Sequence, residues 1–250
     1  MHVLNIRIDE VSKVEALARV RGFLGEQKLH RIFTPNPEIL VAATRNPSFG
    51  AILNKADLSL CDGKGIELFA QGKLERIPGV DFMADILGLA EKEHKSVYLL
   101  GSGKTKTLTK LFAYIQKNYP NLHIAGMHPG PQFFIHKGVV TFKNTQEEEI
   151  NQKVIREIQM NHPAILFVAF GHEKQETWIE QYSNELSGVQ IAMGVGGSFE
   201  YISGSVKRAP FWLRKIGMEW LYRFFTQPKR FSRIINAILI FPYYAFIKNR

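Results

Sequence analysis

The sequence predicts an α/β protein in which strands and helices alternate along a chain of 250 residues. Short apolar runs, each about as long as one strand, recur along the chain, and several end at a turn that contains glycine. Each turn is followed by a segment with apolar residues at helical spacing. Because strand, turn and helix alternate in this way, we expect βαβ units that build a parallel sheet.

The predicted strands and helices fill the first 195 residues. Ser12 is expected to cap the first helix, and Pro37 to stand in the first turn of the second. Residues 128–142, which contain several Gly and Pro, are interpreted as a loop. The predicted strands are 29–33, 56–61, 96–100, 122–126, 163–170 and 189–195; the predicted helices are 11–24, 38–45 with a continuation to 55, 66–70, 81–93, 104–118, 145–160 and 174–186.

Positive charge is concentrated near the C-terminus. The sequence has 32 Lys and Arg residues against 23 Asp and Glu, a formal net charge of +9 at pH 7. Residues 206–250 hold ten of these basic residues and a single acidic one, Glu219, so the whole excess lies there. We therefore divide the chain into an α/β core, 1–205, and a basic appendage, 206–250, whose ligand is expected to be anionic.

Composition excludes several classes of protein. One cysteine, Cys61, excludes an internal disulfide and a multi-cysteine zinc site, and it fits a reducing compartment. No apolar segment follows a basic start at the N-terminus, so no signal peptide is expected. The longest apolar run, 234–247, contains Asn236 and Pro242 and is shorter than the roughly 20 residues that a membrane-spanning helix needs.

Three predicted strands end in polar or glycine turns, which contain Asp62-Gly63, Gly171 and Gly196-Gly197. The carboxyl ends of the strands form the ligand crevice in an open α/β sheet, so the site is expected there. Asp62 is a candidate general base or hydroxyl-binding group; its alternative role is to cap the next helix. Thr34 and Asn36 follow an earlier strand, and capping is their alternative role too.

Two other motifs are weaker. Gly101-Ser102-Gly103-Lys104-Thr105 resembles the end of a P-loop, but Tyr98 stands where the first glycine of that motif belongs. We interpret it as a turn into a helix N-terminus, with a P-loop nucleotidase as the lesser alternative. His172 and Glu176 have helical i,i+4 spacing without a further ligand, and the chain has no Asp-x-Asp pair, so no metal is expected.

The appendage combines arginines with aromatic residues. Arg223, Arg230 and Arg233 are spaced to share one helix face, although Pro228 interrupts that helix. Guanidinium groups suit phosphate oxygens, and a basic aromatic helix suits an anionic membrane. Stacking on nucleic-acid bases is the alternative. The apolar run 234–247 favours a phospholipid or lipid diphosphate over nucleic acid, and it also suits packing against a second copy of the chain.

A series of motifs extends over residues 34–233, most of the chain. They are Thr34-x-Asn36, Asp62-Gly63-x-Gly65, Arg76-x-x-Gly79-x-Asp81, Gly171-x-x-Lys174-Gln175-Glu176, Gly194-Val195-Gly196-Gly197-x-Phe199, Gly204, Arg208-Ala209-Pro210, Gly217-x-Glu219-Trp220-x-x-Arg223 and Pro228-x-Arg230-x-x-Arg233. Taken together, these motifs resemble the WecG/TagA/CpsF glycosyltransferase family. Glu173 stands where the family usually has Pro, and His128–Phe134 matches only loosely.

This resemblance implies a Rossmann-like core with helices on both faces of the sheet and an appendage that meets the membrane. It implies an inverting, metal-independent transfer of an N-acetylmannosamine-type or related hexose, from a UDP-sugar to a polyprenyl-diphosphate-linked saccharide. Such a protein is expected at the cytoplasmic face of the membrane and needs no cofactor. The implied site residues are Asp62 as general base with Thr34 beside it, Asn36, Arg76, Gln175, Gly194, Gly196 and Gly197 as donor or acceptor contacts, and Arg223, Arg230 and Arg233 on the diphosphate.

Overall fold

The computed structural model describes residues 1–226 and 235–248. The strands are β1 (His2–Val3), β2 (Ile6–Arg7), β3 (His30–Phe33), β4 (Leu58–Ser59), β5 (Val97–Gly101), β6 (Ile124–His128), β7 (Phe133–His136), β8 (Val139–Phe142), β9 (Ile165–Ala169) and β10 (Ile191–Gly194). The helices of the core are α1 (Lys13–Phe23), α2 (Pro37–Arg45), α3 (Pro47–Leu53), α4 (Lys64–Phe69), α5 (Gly79–Lys92), α6 (Thr105–Asn118), α7 (Thr145–Asn161), α8 (Lys174–Gln181) and α9 (Ser198–Ile202). The appendage contributes α10 (Phe211–Lys215), α11 (Glu219–Thr226) and a C-terminal helix over 235–248, which is π-helical at Asn236–Ile240 and Tyr243–Lys248.

Six strands form one sheet in the order β4-β3-β10-β9-β5-β6, and every pair in it is parallel. β10 is the last of these strands in sequence but lies inside the sheet, where Ile191 pairs with both His30 of β3 and Ile165 of β9. A parallel sheet needs cover on both faces, and the inner strands β5, β9 and β10 are accordingly buried along their whole length. The predicted parallel sheet is confirmed.

Side chains that alternate along the strands of the sheet pack into two separate hydrophobic cores. In β5, for example, Tyr98 and Leu100 join the cluster formed with α2, α3, α7 and α8. Val97 and Leu99 join the opposite cluster, formed with α1, α5, α6 and α9. This period of two follows from the pleat of a strand. Helices therefore cover both faces of the sheet, as expected for a Rossmann-like core.

The prediction that 128–142 forms a loop is wrong. β7 and β8 pair in antiparallel fashion there, with His136 opposite Val139. The connecting residues, Lys137 and Gly138, both have positive φ, +51° and +79°, as in the tight turns that match the twist of a hairpin. Lys is an unusual residue for the first of these positions, so the turn lacked the Asn-Gly or Asp-Gly signature of a hairpin.

Part of the appendage belongs to the main core. Phe241 of the C-terminal helix is 1% exposed and lies edge-on to Phe69 of α4, with 6.5 Å between ring centroids. Ala209 and Ala245 are also buried. Among the residues that the structure describes, no helix is both long enough and apolar enough to traverse a bilayer.

A buried hydrogen bond between α7 and α8 provides a test of the core packing. The indole Nε1 of Trp178 donates to Oδ1 of Asn151 at 2.8 Å, and both residues are fully buried. Replacing Asn151 by Leu leaves the indole N–H without an acceptor, so we expect Asn151→Leu to lower the free energy of unfolding by about 1–3 kcal/mol. Urea denaturation measures this loss. Adding Trp178→Phe removes the stranded donor, so the two substitutions should cost less than the sum of their separate effects; additive losses would contradict the interpretation.

Candidate active site

Asp62 and Thr34 meet where β3 and β4 end. The backbone N–H of Asp62 donates to the carbonyl of Pro35 at 3.0 Å, which ties the two strand-end segments together. A methyl group placed on Gly79 would lie 2.8 Å from Oγ1 of Thr34 and 3.5 Å from Oδ2 of Asp62. Gly79, at the start of α5, therefore leaves room for the hydroxyl and the carboxylate to approach each other. The structure brings together two of the side chains that the sequence predicted as catalytic.

The structure shows which residues stand at the N-caps of α4 and α2. The N-cap residue of α4 is Gly63 rather than Asp62. Asn36 does cap α2, since its Oδ1 accepts from the backbone N–H of Ile39 at 3.0 Å. Asn36 also lines the cavity that Asp62 faces, so capping and contact with a ligand are compatible for this residue.

We call this space, of about 420 Å³, the Asp62 cavity. Core and appendage both contribute to its walls. Asn36, Asp62 and Arg76 supply polar groups from the core. Apolar groups come from Leu68 of α4 and from appendage residues that include Ile216, Met218, Trp220, Ile238 and Pro242. The cavity can therefore hold a ligand with a polar part and an apolar part.

Several contacts fix the appendage against this cavity. Nη2 of Arg76 donates to the backbone carbonyl of Arg214 at 3.0 Å, so the predicted ligand contact also holds α10. Gly217 has φ +80°, and a methyl group there would lie 2.5 Å from Cγ of Lys64. Only glycine combines this backbone conformation with so close an approach to the core.

Arg208 and Asp81 form a further connection, which sequence reasoning did not pair although both belong to the motifs. Both terminal nitrogens of the Arg208 guanidinium, Nη1 and Nη2, donate to the Asp81 carboxylate. The distance from Nη2 to Oδ2 is 3.0 Å. Burial alone would raise the pKa of Asp81, but the hydrogen bond and charge of Arg208 outweigh it, so this pKa lies below its usual value. A bidentate pair of this kind is stronger than a single-point contact and fixes orientation.

A second cavity, of about 580 Å³, lies at the carboxyl ends of β5, β9 and β10. We call it the β9 cavity. Its walls combine two glycine turns, Ser102-Gly103 and Gly196-Gly197, with aromatic rings from β7, from the residue that follows β9 and from α9. The aromatic residues are Phe133, Phe134, Phe170 and Tyr201, and the charged residues are Lys143, Lys174 and Glu200.

Lys174, which sequence reasoning noted only as part of a motif, is positioned by the β7–β8 hairpin. Its Nζ donates to the carbonyl of Phe133 at 2.6 Å and lies 5.4 Å from the centroid of the same ring. The hairpin thus presents a cation to the β9 cavity. Because residues 128–142 are predicted to form a loop, the sequence does not indicate this arrangement.

Gln175 lies below the β9 cavity rather than in the lining of either cavity. Its Oε1 accepts from the backbone N–H of Gly196 at 2.8 Å, and its Nε2 donates to Oε1 of Glu176 at 2.8 Å. A methyl group on Gly194 would lie 2.8 Å from Nε2 of Gln175, so this glycine makes room for the amide. Of the three glycines predicted to contact a ligand, Gly196 and Gly197 line the β9 cavity and Gly194 supports it from below.

The two cavities adjoin at one side-chain pair. Nδ1 of His172 lies 3.5 Å from Oε1 of Glu38. Glu38 lines the Asp62 cavity, and Gly171, next to His172, lines the β9 cavity. The carboxyl edge of the sheet thus carries two neighbouring cavities, one beyond β3 and β4 and the other beyond β5, β9 and β10.

The three arginines predicted to bind a diphosphate belong to the appendage. Arg230 and Arg233 lie outside the described residues, and Arg223 belongs to α11 but its side chain is likewise outside the description. Among the described residues, no three His, Cys, Asp or Glu side chains are grouped as a metal site would require.

Burial, with the charges of Asp62 and Glu67, raises the pKa of Cys61 to about 12, so its thiol stays protonated.

Glu176 makes the free energy of unfolding of the protein depend on pH. Burial raises the pKa of its carboxyl from 4.5 to about 7, although the hydrogen bond from Gln175 opposes this change. Between these values the folded chain keeps a proton that the unfolded chain has lost, so the free energy of unfolding falls as pH rises. We expect Glu176→Gln to remove this fall. From pH 5 to 7 the wild type should lose about 2 kcal/mol relative to the variant, as urea denaturation measures.

Thr177→Val is the matched control for this experiment, because Thr177 is equally buried on the same helix and does not titrate. Its unfolding free energy should follow the wild-type dependence on pH. Parallel curves for the wild type and Glu176→Gln would contradict the assignment of the titration to Glu176.

Comparison with known proteins agrees with the motifs. The sequence profile of the glycosyl transferase WecG/TagA/CpsF family matches residues 1–250. N-acetylglucosaminyldiphosphoundecaprenol N-acetyl-beta-D-mannosaminyltransferases of Staphylococcus aureus, from strains NCTC 8325 / PS 47 and MRSA252, are 30% identical to this chain over 247 residues. Each alignment covers 96% of this chain and 90% of the relative. The resemblance is confirmed: the chain belongs to the WecG/TagA/CpsF family and is an enzyme that transfers a sugar.

Proposed function

We propose that this enzyme transfers an N-acetylmannosamine-type or related hexose from a UDP-sugar to a polyprenyl-diphosphate-linked saccharide, in the synthesis of a cell-surface polysaccharide. The observation that carries the proposal is the position of Asp62. It stands beside Thr34 at the end of β4 and faces a cavity with polar and apolar walls. A carboxylate in this position suits a general base that acts on a hydroxyl of a lipid-linked sugar.

The β9 cavity is the proposed donor site. Its volume, about 580 Å³, is in the range of small-molecule sites. The glycine turns Ser102-Gly103 and Gly196-Gly197 allow a ligand to approach the backbone closely, which suits a diphosphate. Aromatic rings suit a nucleobase, and Lys143 and Lys174 supply positive charge for the phosphates. These features together favour a nucleotide sugar.

The Asp62 cavity is the proposed acceptor site. Asn36 and Arg76 lie in its wall with Asp62 and can bind sugar hydroxyls or phosphate oxygens. Leu68, Trp220 and Ile238 offer apolar surface to the first part of a polyprenyl chain. The staphylococcal relatives are named for an acceptor of this type, N-acetylglucosaminyldiphosphoundecaprenol.

The proposed reaction is a single displacement. The acceptor hydroxyl attacks the anomeric carbon from the side opposite UDP, and Asp62 takes the hydroxyl proton as the new C–O bond forms. The bond between the anomeric carbon and the UDP oxygen breaks, so the configuration is inverted. Because the mechanism uses no metal, positioned cations must stabilise the charge on the departing UDP. We assign this role to Arg223, Arg230 and Arg233 of the appendage, with Lys143 and Lys174 on the wall of the donor cavity.

The enzyme is proposed to act at the cytoplasmic face of the membrane, where the appendage binds the lipid surface. Several large apolar side chains of the appendage are exposed, among them Trp212 at 62% and Phe225 at 75%. Exposed apolar groups beside excess positive charge suit an anionic bilayer. Phe211, Leu239 and Ile247 extend this exposed set.

Asp62→Asn tests the proposed base. We expect kcat for transfer to a lipid-diphosphate acceptor to fall by about 10²- to 10⁴-fold, since the amide cannot accept the proton. The affinity for UDP should stay within about twofold, because Asp62 lines the other cavity. Transfer is measured from a radiolabelled UDP-sugar with EDTA present.

Asp57→Asn is the control for this variant. Asp57 precedes β4 at its amino end and accepts from the backbone N–H of Arg31, an acceptor role that Asn retains. Its kcat should be close to that of the wild type. Near-wild-type turnover of Asp62→Asn would remove Asp62 from the role of base, and complete dependence on added metal would contradict the metal-free mechanism.

Membrane binding is tested by removing exposed aromatic groups from the appendage. The double variant Trp212→Ser, Phe225→Ser should bind anionic liposomes at least about tenfold more weakly, because burial of each ring in the lipid interface is lost. Flotation over a salt series measures this. Met160→Ser, which removes an exposed apolar group from α7, is the control and should float as the wild type does. Equal binding by the double variant would refute the proposed membrane surface.

A further inference from the structure

Glu176, Gln175 and Gly196 form a buried chain of hydrogen bonds beneath the β9 cavity. Gln175 is 4% exposed and Glu176 is 2% exposed, and neither side chain lines the Asp62 cavity or the β9 cavity. A buried carboxylate is costly, so a position of this kind calls for a reason other than stability. The reason lies in Gly196, the last residue in this series of hydrogen bonds, which lines the β9 cavity.

The orientation of the Gln175 amide is set by its two partners. Gly196 offers an N–H, which requires the amide oxygen, and Glu176 offers a carboxylate oxygen, which requires the amide nitrogen. An ionised carboxylate only accepts hydrogen bonds, so it admits one of the two possible amide orientations. In the reversed orientation, two donors would face each other at Gly196.

Glu176 is the third residue of α8 and is fixed at the start of that helix. Its Oε1 accepts from Gln175, and its Oε2 is buried without a hydrogen-bond partner among the described residues. Glu173, the N-cap residue, has φ +67°, so the backbone turns sharply just before the helix. Gly194 leaves the space that the Gln175 amide occupies. The Gln175 amide is therefore confined by the N–H of Gly196, the carboxylate of Glu176 and the backbone at Gly194.

We infer that Glu176 is a positioning residue for the donor: through the amide of Gln175 it fixes the Gly196-Gly197 turn that borders the β9 cavity. This inference rests on the proposed function, since it takes that cavity as the UDP-sugar site. Glu176 does not touch the substrate. It acts by holding the turn in the conformation that the nucleotide meets, so its loss should weaken nucleotide binding.

The experiment measures the affinity for UDP by titration calorimetry on the full-length protein, at about pH 8 where Glu176 is ionised. Glu176→Gln keeps the shape of the side chain but introduces a donor that competes with the amide of Gln175. Gly194→Ala reaches the same amide from the other side, because its methyl group would lie 2.8 Å from Nε2. We expect each variant to bind UDP about tenfold more weakly, the effect of about one hydrogen bond.

Two controls separate positioning from general destabilisation. Thr177→Val alters a buried polar side chain on the same helix and should keep its affinity within about twofold. In a Gln175→Ala background the amide is absent, so adding Gly194→Ala should weaken UDP binding no further. If Glu176→Gln does not fold, this comparison still tests whether the Gln175 amide positions the Gly196-Gly197 turn.

The outcomes distinguish the inference from the function on which it rests. If the wild type does not bind UDP, the donor assignment of the β9 cavity fails and the inference fails with it. If the wild type binds UDP and both Glu176→Gln and Gly194→Ala bind it equally tightly, only the positioning role is overturned. An additional loss from Gly194→Ala in the Gln175→Ala background would also overturn it.

Discussion

The hydrogen bonds of β10 hold the candidate site together. This strand pairs with β3 on one side and β9 on the other, and so joins the half of the sheet that carries Thr34 and Asp62 to the half that carries the β9 cavity. Because all these strands are parallel, their carboxyl ends share one edge. The distance between the proposed base and the proposed donor is therefore set by backbone pairing at the centre of the sheet, the least deformable part of such a fold.

Sequence patterns predict the sheet, its covering helices and the Asp62 end of the site, because these depend on local periodicity and on turns next to each strand. The β7–β8 hairpin escaped prediction, since its Lys137-Gly138 turn lacks the usual residues and its partners are antiparallel within a parallel fold. The Arg208–Asp81 pair also escaped it. Those residues are 127 positions apart, and no local pattern shows which acid a basic residue meets.

Gln175 illustrates the limit of motif reasoning most clearly. The resemblance indicates that it matters, but only the structure shows that both ends of its amide are engaged below the cavity. A motif records which residues occur together, and it does not separate a side chain that touches a ligand from one that supports the backbone around it. That distinction depends on burial and on partners in three dimensions, as Gly194 and Glu176 show here.

The C-terminal helix has an effect on how the protein can be handled. One of its residues, Phe241, is part of the main core, and others, Ala237 and Ile238, line the Asp62 cavity. Its exposed residues, such as Leu239 and Ile247, present apolar surface of the kind that favours aggregation in water. A chain shortened to improve its solubility would lose core packing and a cavity wall in the same step. Solubility in aqueous buffer and an intact Asp62 cavity are, in this fold, competing requirements.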